Sequence, residues 1–89
     1  MSSIEEQFND SVETVKKYVN NIDNKEKAIL YKYFKQSTIG DINIPKPTGF
    51  FNMINKQKWE EWNSLKGTDK TKAKEIYITF VNALKNKYK

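Results

Sequence analysis

Ile4, Phe8, Val12, Val15 and Val19 recur at spacings of 4, 4, 3 and 4, which lines them along one face of a helix. The segment opens at Ser3, with Glu6 three residues on in the Ser-x-x-Glu pattern of a capping box, and is predicted to stop near Asn20-Asn21. A second cap, Asp23 followed by Glu26, starts a helix carried through Ala28, Leu30, Tyr31 and Phe34 to about Ile39. Two prolines and a glycine in Asp41-Ile-Asn-Ile-Pro-Lys-Pro-Thr-Gly49 then forbid a continuous helix. A third, shorter helix is predicted from Phe51 or Asn52 to Leu65, with Gly67 ending it. Asp69 caps a fourth, along which Ala73, Ile76, Tyr77, Phe80, Leu84 and Tyr88 form an apolar stripe. No strand-like alternation competes, so the class is all-α. The pattern predicts four helices in a single domain over residues 1–89.

Composition narrows the chemistry. A chain of 89 residues buries only about 60–65% of its unfolded surface, enough for a modest core but not a deep enzyme cavity. It contains no cysteine and no histidine, which removes disulfides, thiolate metal sites and the commonest general base. No pair of carboxylates sits in an apolar setting that would raise a pKa. The net charge is +5 and every one of the sixteen cations is lysine. Base-reading nucleic-acid binders lean on the guanidinium fork, whereas lysine is a compact charge suited to phosphates. An AT-rich coding bias accounts equally well for the missing arginine. No apolar run approaches the ~20 residues of a membrane span. Met1-Ser-Ser-Ile-Glu-Glu lacks the features of a signal peptide, and its second residue is not the glycine that myristoylation requires. The expectation is a soluble, cytoplasmic protein.

The densest chemistry lies in Tyr31-Lys-Tyr-Phe-Lys-Gln-Ser-Thr-Ile-Gly-Asp41. Tyr31, Phe34 and Lys35 share a face of the second helix, and Lys32 and Lys35 bracket its aromatic turn. Such a face is either a buried tyrosine beside lysines whose stems cover it, or a place to hold something flat and anionic. Trp59 and Trp62, three apart, are expected to divide, Trp62 to the core and Trp59 nearer a ligand.

Taken in order, Tyr31-x-x-Phe34-Lys35-Gln36-Ser37-Thr38-x-Gly40-Asp41, Lys58-Trp59-x-x-Trp62-x-x-Leu65-x-Gly67 and Tyr77-Ile78 resemble the acyl-CoA-binding protein family, from about Phe8 to Tyr88. The resemblance implies a four-helix up-down bundle of that family's type, a non-catalytic carrier of medium- to long-chain acyl-CoA thioesters. It assigns the CoA head group to Tyr31, Phe34 and Lys35, with Lys16 near the phosphates, Lys58 at the 3′-phosphate and Tyr77 beside the adenine. Lys32 and Tyr33 complete the candidate ligand-binding set, and Lys56 is the substitute for Lys58. The acyl chain is expected between the second and third helices, against Ile29, Leu30, Phe50, Phe51, Met53 and Ile54. Phe34 stands where many members carry Tyr, which keeps a stacking ring and drops a hydroxyl. Val12, Lys32, Ile22 and the Pro45–Pro47 connection also depart from the common pattern. The expected ligand is acyl-CoA, with no cofactor, no metal, no nucleic acid and no stable membrane insertion. A monomer making transient contact with acyl-CoA-using enzymes is expected. The alternative is a small basic helical module binding nucleic acid or an acidic protein.

Overall fold

The computed structural model describes residues 3–49 and 52–88. These residues form four helices and no strand: α1 (Ile4–Lys16), α2 (Asn24–Thr38), α3 (Met53–Asn63) and α4 (Lys70–Lys87). Three of the four start on the side chains the sequence nominated. Ser3 accepts from the Glu6 N–H, Asp69 accepts from the Lys72 N–H, and Asp23 and Glu26 form a complete reciprocal capping box. Asn52, which precedes α3, makes no side-chain cap bond.

α1 is shorter than its apolar stripe predicts. After Lys16 the backbone tightens, with Lys17 N–H donating to Thr14 and Tyr18 N–H to Val15, the i→i−3 spacing that closes a helix. Two further amides, of Asn21 and Ile22, then converge on the Tyr18 carbonyl. This turn brings Tyr18 and Ile22 against the core and leaves Val19 half exposed. The expectation that Val19 continues the buried face is therefore corrected: the helical register ends before it is reached.

Contacts fix the directions. Glu5 and Lys74, each near the start of its helix, form an ion pair, so α1 and α4 run parallel. Glu26 at the start of α2 holds Lys87 and Tyr88 at the end of α4, while Gln36 near the end of α2 reaches Thr68 just before α4, so these two are antiparallel. Lys58 lies over Tyr31 and Lys35 over Trp62, so α2 and α3 run the same way. A parallel neighbour requires the chain to travel back along α2, about 22 Å for 15 residues at 1.5 Å each. The proline-containing connection is long because it spans that return.

Phe8, Ile22, Leu30, Tyr77, Val81 and Leu84 are the buried core, drawn from α1, α2, α4 and the α1–α2 connection. Leu30, expected on the acyl groove, is one of them; its face of α2 looks at α4 rather than α3. α3 docks through Trp62, which is buried and donates its indole N–H to the Gly40 carbonyl at 2.9 Å. Gly40 has a φ of +97°, the left-handed value that ends a helix cheaply only in glycine. A polar knot ties this end together. The fully buried Gln36 donates its side-chain amide to Asp41 Oδ1 at 2.9 Å and to the Thr68 carbonyl at 2.6 Å, and the Gly67 N–H donates to the same Asp41 oxygen at 2.8 Å. The Gly67 amide, aided by Gln36, holds the Asp41 carboxyl below the usual carboxylate range.

Candidate functional site

The centre of the site is the Tyr31 ring on α2. Because Lys35 follows one turn later, its stem runs back over the ring and its Nζ lies 5.8 Å from the ring centroid. The same Nζ is 5.7 Å from the Trp62 ring of α3. From α3, Lys58 reaches across to place its Nζ 5.5 Å from the Tyr31 centroid. Two ammonium groups from two helices thus flank one phenol ring. Neither has a carboxylate partner among the described residues. Like charges gathered this way repel, and a shared anion relieves the repulsion.

Beside this shelf stands a cluster of three aromatic rings. Phe8 of α1 stacks on Phe34 of α2 with centroids 6.1 Å apart and planes at 19°, and meets Tyr77 of α4 edge-on at 5.0 Å. Phe34 and Tyr77 are 6.3 Å apart. Phe34 is the exposed member, at the rim, whereas Phe8 and Tyr77 are buried. Burial pushes the Tyr77 hydroxyl pKa up to about 12, so it stays a neutral phenol.

The remaining candidates are placed differently. Lys32 is bound to Glu61 of α3 at 3.1 Å, stapling α2 to α3 with its charge already matched. Tyr33 packs against the core beneath the Lys32 ammonium. Lys16 sits exposed at the end of α1, 3.0 Å from Glu13 on its own helix. Trp59 is half-buried and spends its indole N–H on the Ile44 carbonyl at 2.7 Å, which pins the connection to α3. Ile29 is half-buried, while Met53 and Ile54 are exposed in the first turn of α3. Phe50 and Phe51 lie outside the described residues. Phe8 is legible in the sequence only as a core position, because its pairing with Phe34 depends on how α1 and α2 each pack against α4. Lys74 carries no local signal at all; its Nζ lies 5.8 Å from the Phe8 ring centroid while it pairs with Glu5.

The arrangement supplies an aromatic shelf, two uncompensated cations and a phenol held neutral. It offers no group of three metal-binding side chains among the described residues. Those features define a helical binding protein for a flat, anionic ligand. The comparisons agree on which one. Residues 5–81 match the family model of the acyl CoA binding protein. A putative acyl-CoA-binding protein from a Hypsibius species is 42% identical over 85 residues, covering 96% of this chain and 94% of its own. The acyl-CoA-binding protein homolog of Drosophila melanogaster is 41% identical over 85 residues, covering 96% and 98%. The crystal structure of Oryza sativa acyl-CoA-binding protein 2 superposes with a TM-score of 0.88 at 33% identity, covering 96% of this chain and 93% of its own. The chain belongs to the acyl-CoA-binding protein family.

Proposed function

We propose that this chain is a non-catalytic carrier that binds medium- to long-chain acyl-CoA thioesters and delivers them to lipid metabolism. The observation that supports this most is the pair of unmatched ammonium groups, Lys35 and Lys58, over the single ring of Tyr31. A 3′-phosphorylated adenosine diphosphate carries an aromatic base and three phosphate groups. The base lies against the exposed Phe34 ring, beside the buried Tyr77, while the phosphates take charge-assisted hydrogen bonds from Lys35 and Lys58 and a hydroxyl from Tyr31. Lys16 and Lys32 already hold carboxylates, so they act at the edge of this site by exchanging partners.

The acyl chain runs between α2 and α3, over Ile29, Met53 and Ile54. Each methylene withdrawn from water is worth about 0.8 kcal/mol, so a sixteen-carbon chain contributes on the order of 10 kcal/mol before ordering costs. Affinity therefore rises with chain length until the groove is full. No helix of the described residues is long and apolar enough to cross a membrane, and the carrier works as a cytoplasmic monomer, a single domain meeting acyl-CoA-using enzymes transiently. Binding a thioester shields it from hydrolysis and keeps a detergent-like molecule out of bilayers. Calorimetric titration tests the assignment: palmitoyl-CoA is expected to bind far more tightly than either free palmitate or CoA alone, since linking the two halves avoids a second association cost. Comparable affinities for palmitate and palmitoyl-CoA would move the protein to another class.

A further inference from the structure

A hydroxyl inside a helix commonly donates to the carbonyl one turn back. Thr14, Ser37, Thr38 and Thr79 all do so, bonding to the carbonyls of Asp10, Tyr33, Phe34 and Glu75. Ser11 does not. It stands in the middle of α1 and is only 7% exposed, yet its hydroxyl has no hydrogen-bond partner among the described residues. It lines a groove of 190 Å³ between α1 and α4. Ile78 and Val81 give that groove an apolar floor, and none of the residues assigned above to the CoA head group lines it.

The walls carry opposite charges. Asp10 stands on the α1 side and Lys85 on the α4 side, and neither joins an ion pair among the described residues. Their spacing explains why. Lys85 lies eleven residues beyond Lys74 and Asp10 five beyond Glu5, the pair that sets the register of these parallel helices. The two backbones are therefore offset by about 9 Å along the axis, at 1.5 Å per residue. A helical lysine stem leans back toward the N-terminus, which turns its ammonium toward Asp10 and leaves a gap of molecular size. Ser11 and Asn82 fall within that interval, on opposite walls.

We propose that this groove is a second binding site, for a small zwitterion of the aliphatic α-amino acid class. The ligand ammonium sits on Asp10. Its carboxylate takes the Lys85 ammonium and the Ser11 hydroxyl, with the Asn82 amide alongside, and its side chain lies on Ile78. A simple cation would meet Lys85 and a simple anion would meet Asp10, so only a ligand with both charges is matched on both walls. The groove is smaller than the roughly 300–1,000 Å³ of sites for drug-sized ligands, which keeps the ligand small. This inference does not rest on the carrier reading.

The test is titration of the isotopically labelled full chain with L-valine, followed through its amide chemical shifts. Saturable shifts are expected on residues 7–14 and 78–85, with a Kd of about 1–10 mM. Acetate and methylamine carry one charge each and should bind at least about fivefold more weakly. Asp10→Asn and Lys85→Gln should each weaken valine binding about two- to fivefold. Ser11→Ala should weaken it about two- to tenfold. The Tm of Ser11→Ala should hold or rise, because the helix loses no internal hydrogen bond and gains a better helix former. A lower Tm would make Ser11 a structural group and overturn its role here. Shifts that do not saturate, valine bound no better than acetate or methylamine, or unchanged affinity in all three variants would overturn the site. O-phosphoethanolamine binding more tightly than valine would overturn the amino-acid assignment in favour of a phosphate-bearing zwitterion.

Discussion

Replacing Lys35 by methionine separates the two things that residue does. Its stem lies over Tyr31 and the buried Trp62, and its ammonium sits 5.8 and 5.7 Å from those ring centroids. Methionine keeps an unbranched chain of similar length and deletes only the charge. In the free protein the loss of two cation–π contacts, each worth about 0.5–1 kcal/mol near a surface, is offset by relief of repulsion from Lys58. Stability should therefore change by no more than about 1 kcal/mol, read as a small Tm shift with an unchanged far-UV dichroism spectrum. Binding is different, because on the proposed assignment a phosphate would lose a charge-assisted hydrogen bond. That is worth about 1.5–3 kcal/mol, or roughly 10- to 150-fold in the Kd for palmitoyl-CoA. Lys35→Ala removes the stem as well, and its further loss measures the packing part. Titration calorimetry at low salt reads both. Palmitoyl-CoA affinity within about twofold of the unmodified protein in Lys35→Met would refute the head-group role, since the charge is what that variant lacks.

Lys58 is more exposed than Lys35, so its contribution is smaller and more easily screened. Crossing Lys58→Ala with acyl-dephospho-CoA, which lacks the 3′-phosphate, should give a coupling of about 1 kcal/mol that shrinks with salt. Zero coupling at low salt would leave Lys58 a solvated lysine and make Lys56 the next candidate. At the other end of the bundle, hydrogen bonds from Lys87, Tyr88 and the Asp23 amide lower the Glu26 pKa from 4.5 to about 2. Because the folded value is the lower one, this clamp stabilises the fold above pH 4.5 and its contribution disappears as pH falls toward 2. Tm should fall across that window, and Glu26→Gln should be less stable at pH 7 with a flatter acid limb. An unchanged acid limb in that variant would show that Asp41 and Glu60, also held low by their hydrogen bonds, carry the acid sensitivity instead.

Local signals are legible in the sequence wherever a short-range interaction decides the structure. Asp23 and Glu26 cap each other within one turn, and Gly40 and Gly67 adopt the left-handed φ that closes their helices. The stripe of α4 supplies Ala73, Tyr77 and Leu84 to the interior, and Val81, four residues after Tyr77 and three before Leu84, is buried on the same face although it is not among the residues singled out for that stripe. Val19 fits its stripe and is nevertheless exposed, because periodicity does not announce where a helix tightens and stops. Leu30 can be placed on a helix but not on a side of it, since that depends on which neighbour α2 faces. In the same way Lys35 is readable as one turn beyond Tyr31, but the approach of Lys58 to the same ring depends on α3 running parallel to α2. The pairing of Lys32 with Glu61 depends on it too.

The two ends of α2 show how the fold keeps its central shelf open. At the start, Glu26 accepts from Asp23, Lys87 and Tyr88, fixing α2 on the end of α4. At the other end, Gln36 and Asp41 bind Thr68 and Gly67, fixing it on the α3–α4 turn. Lys32 and Glu61 bind the flank to α3. These clamps hold the flanking backbones, so Lys35 and Lys58 remain over Tyr31 without carboxylates of their own. A site neutralised in advance would have to break ion pairs before taking an anion, and held open this way it does not. Loosening a clamp should therefore weaken binding through geometry, without removing any group that touches the ligand. That is the expectation for Glu26→Gln at pH 7: a reduced palmitoyl-CoA affinity that recovers when the bundle is stabilised by an osmolyte, as the loss in Lys35→Met would not.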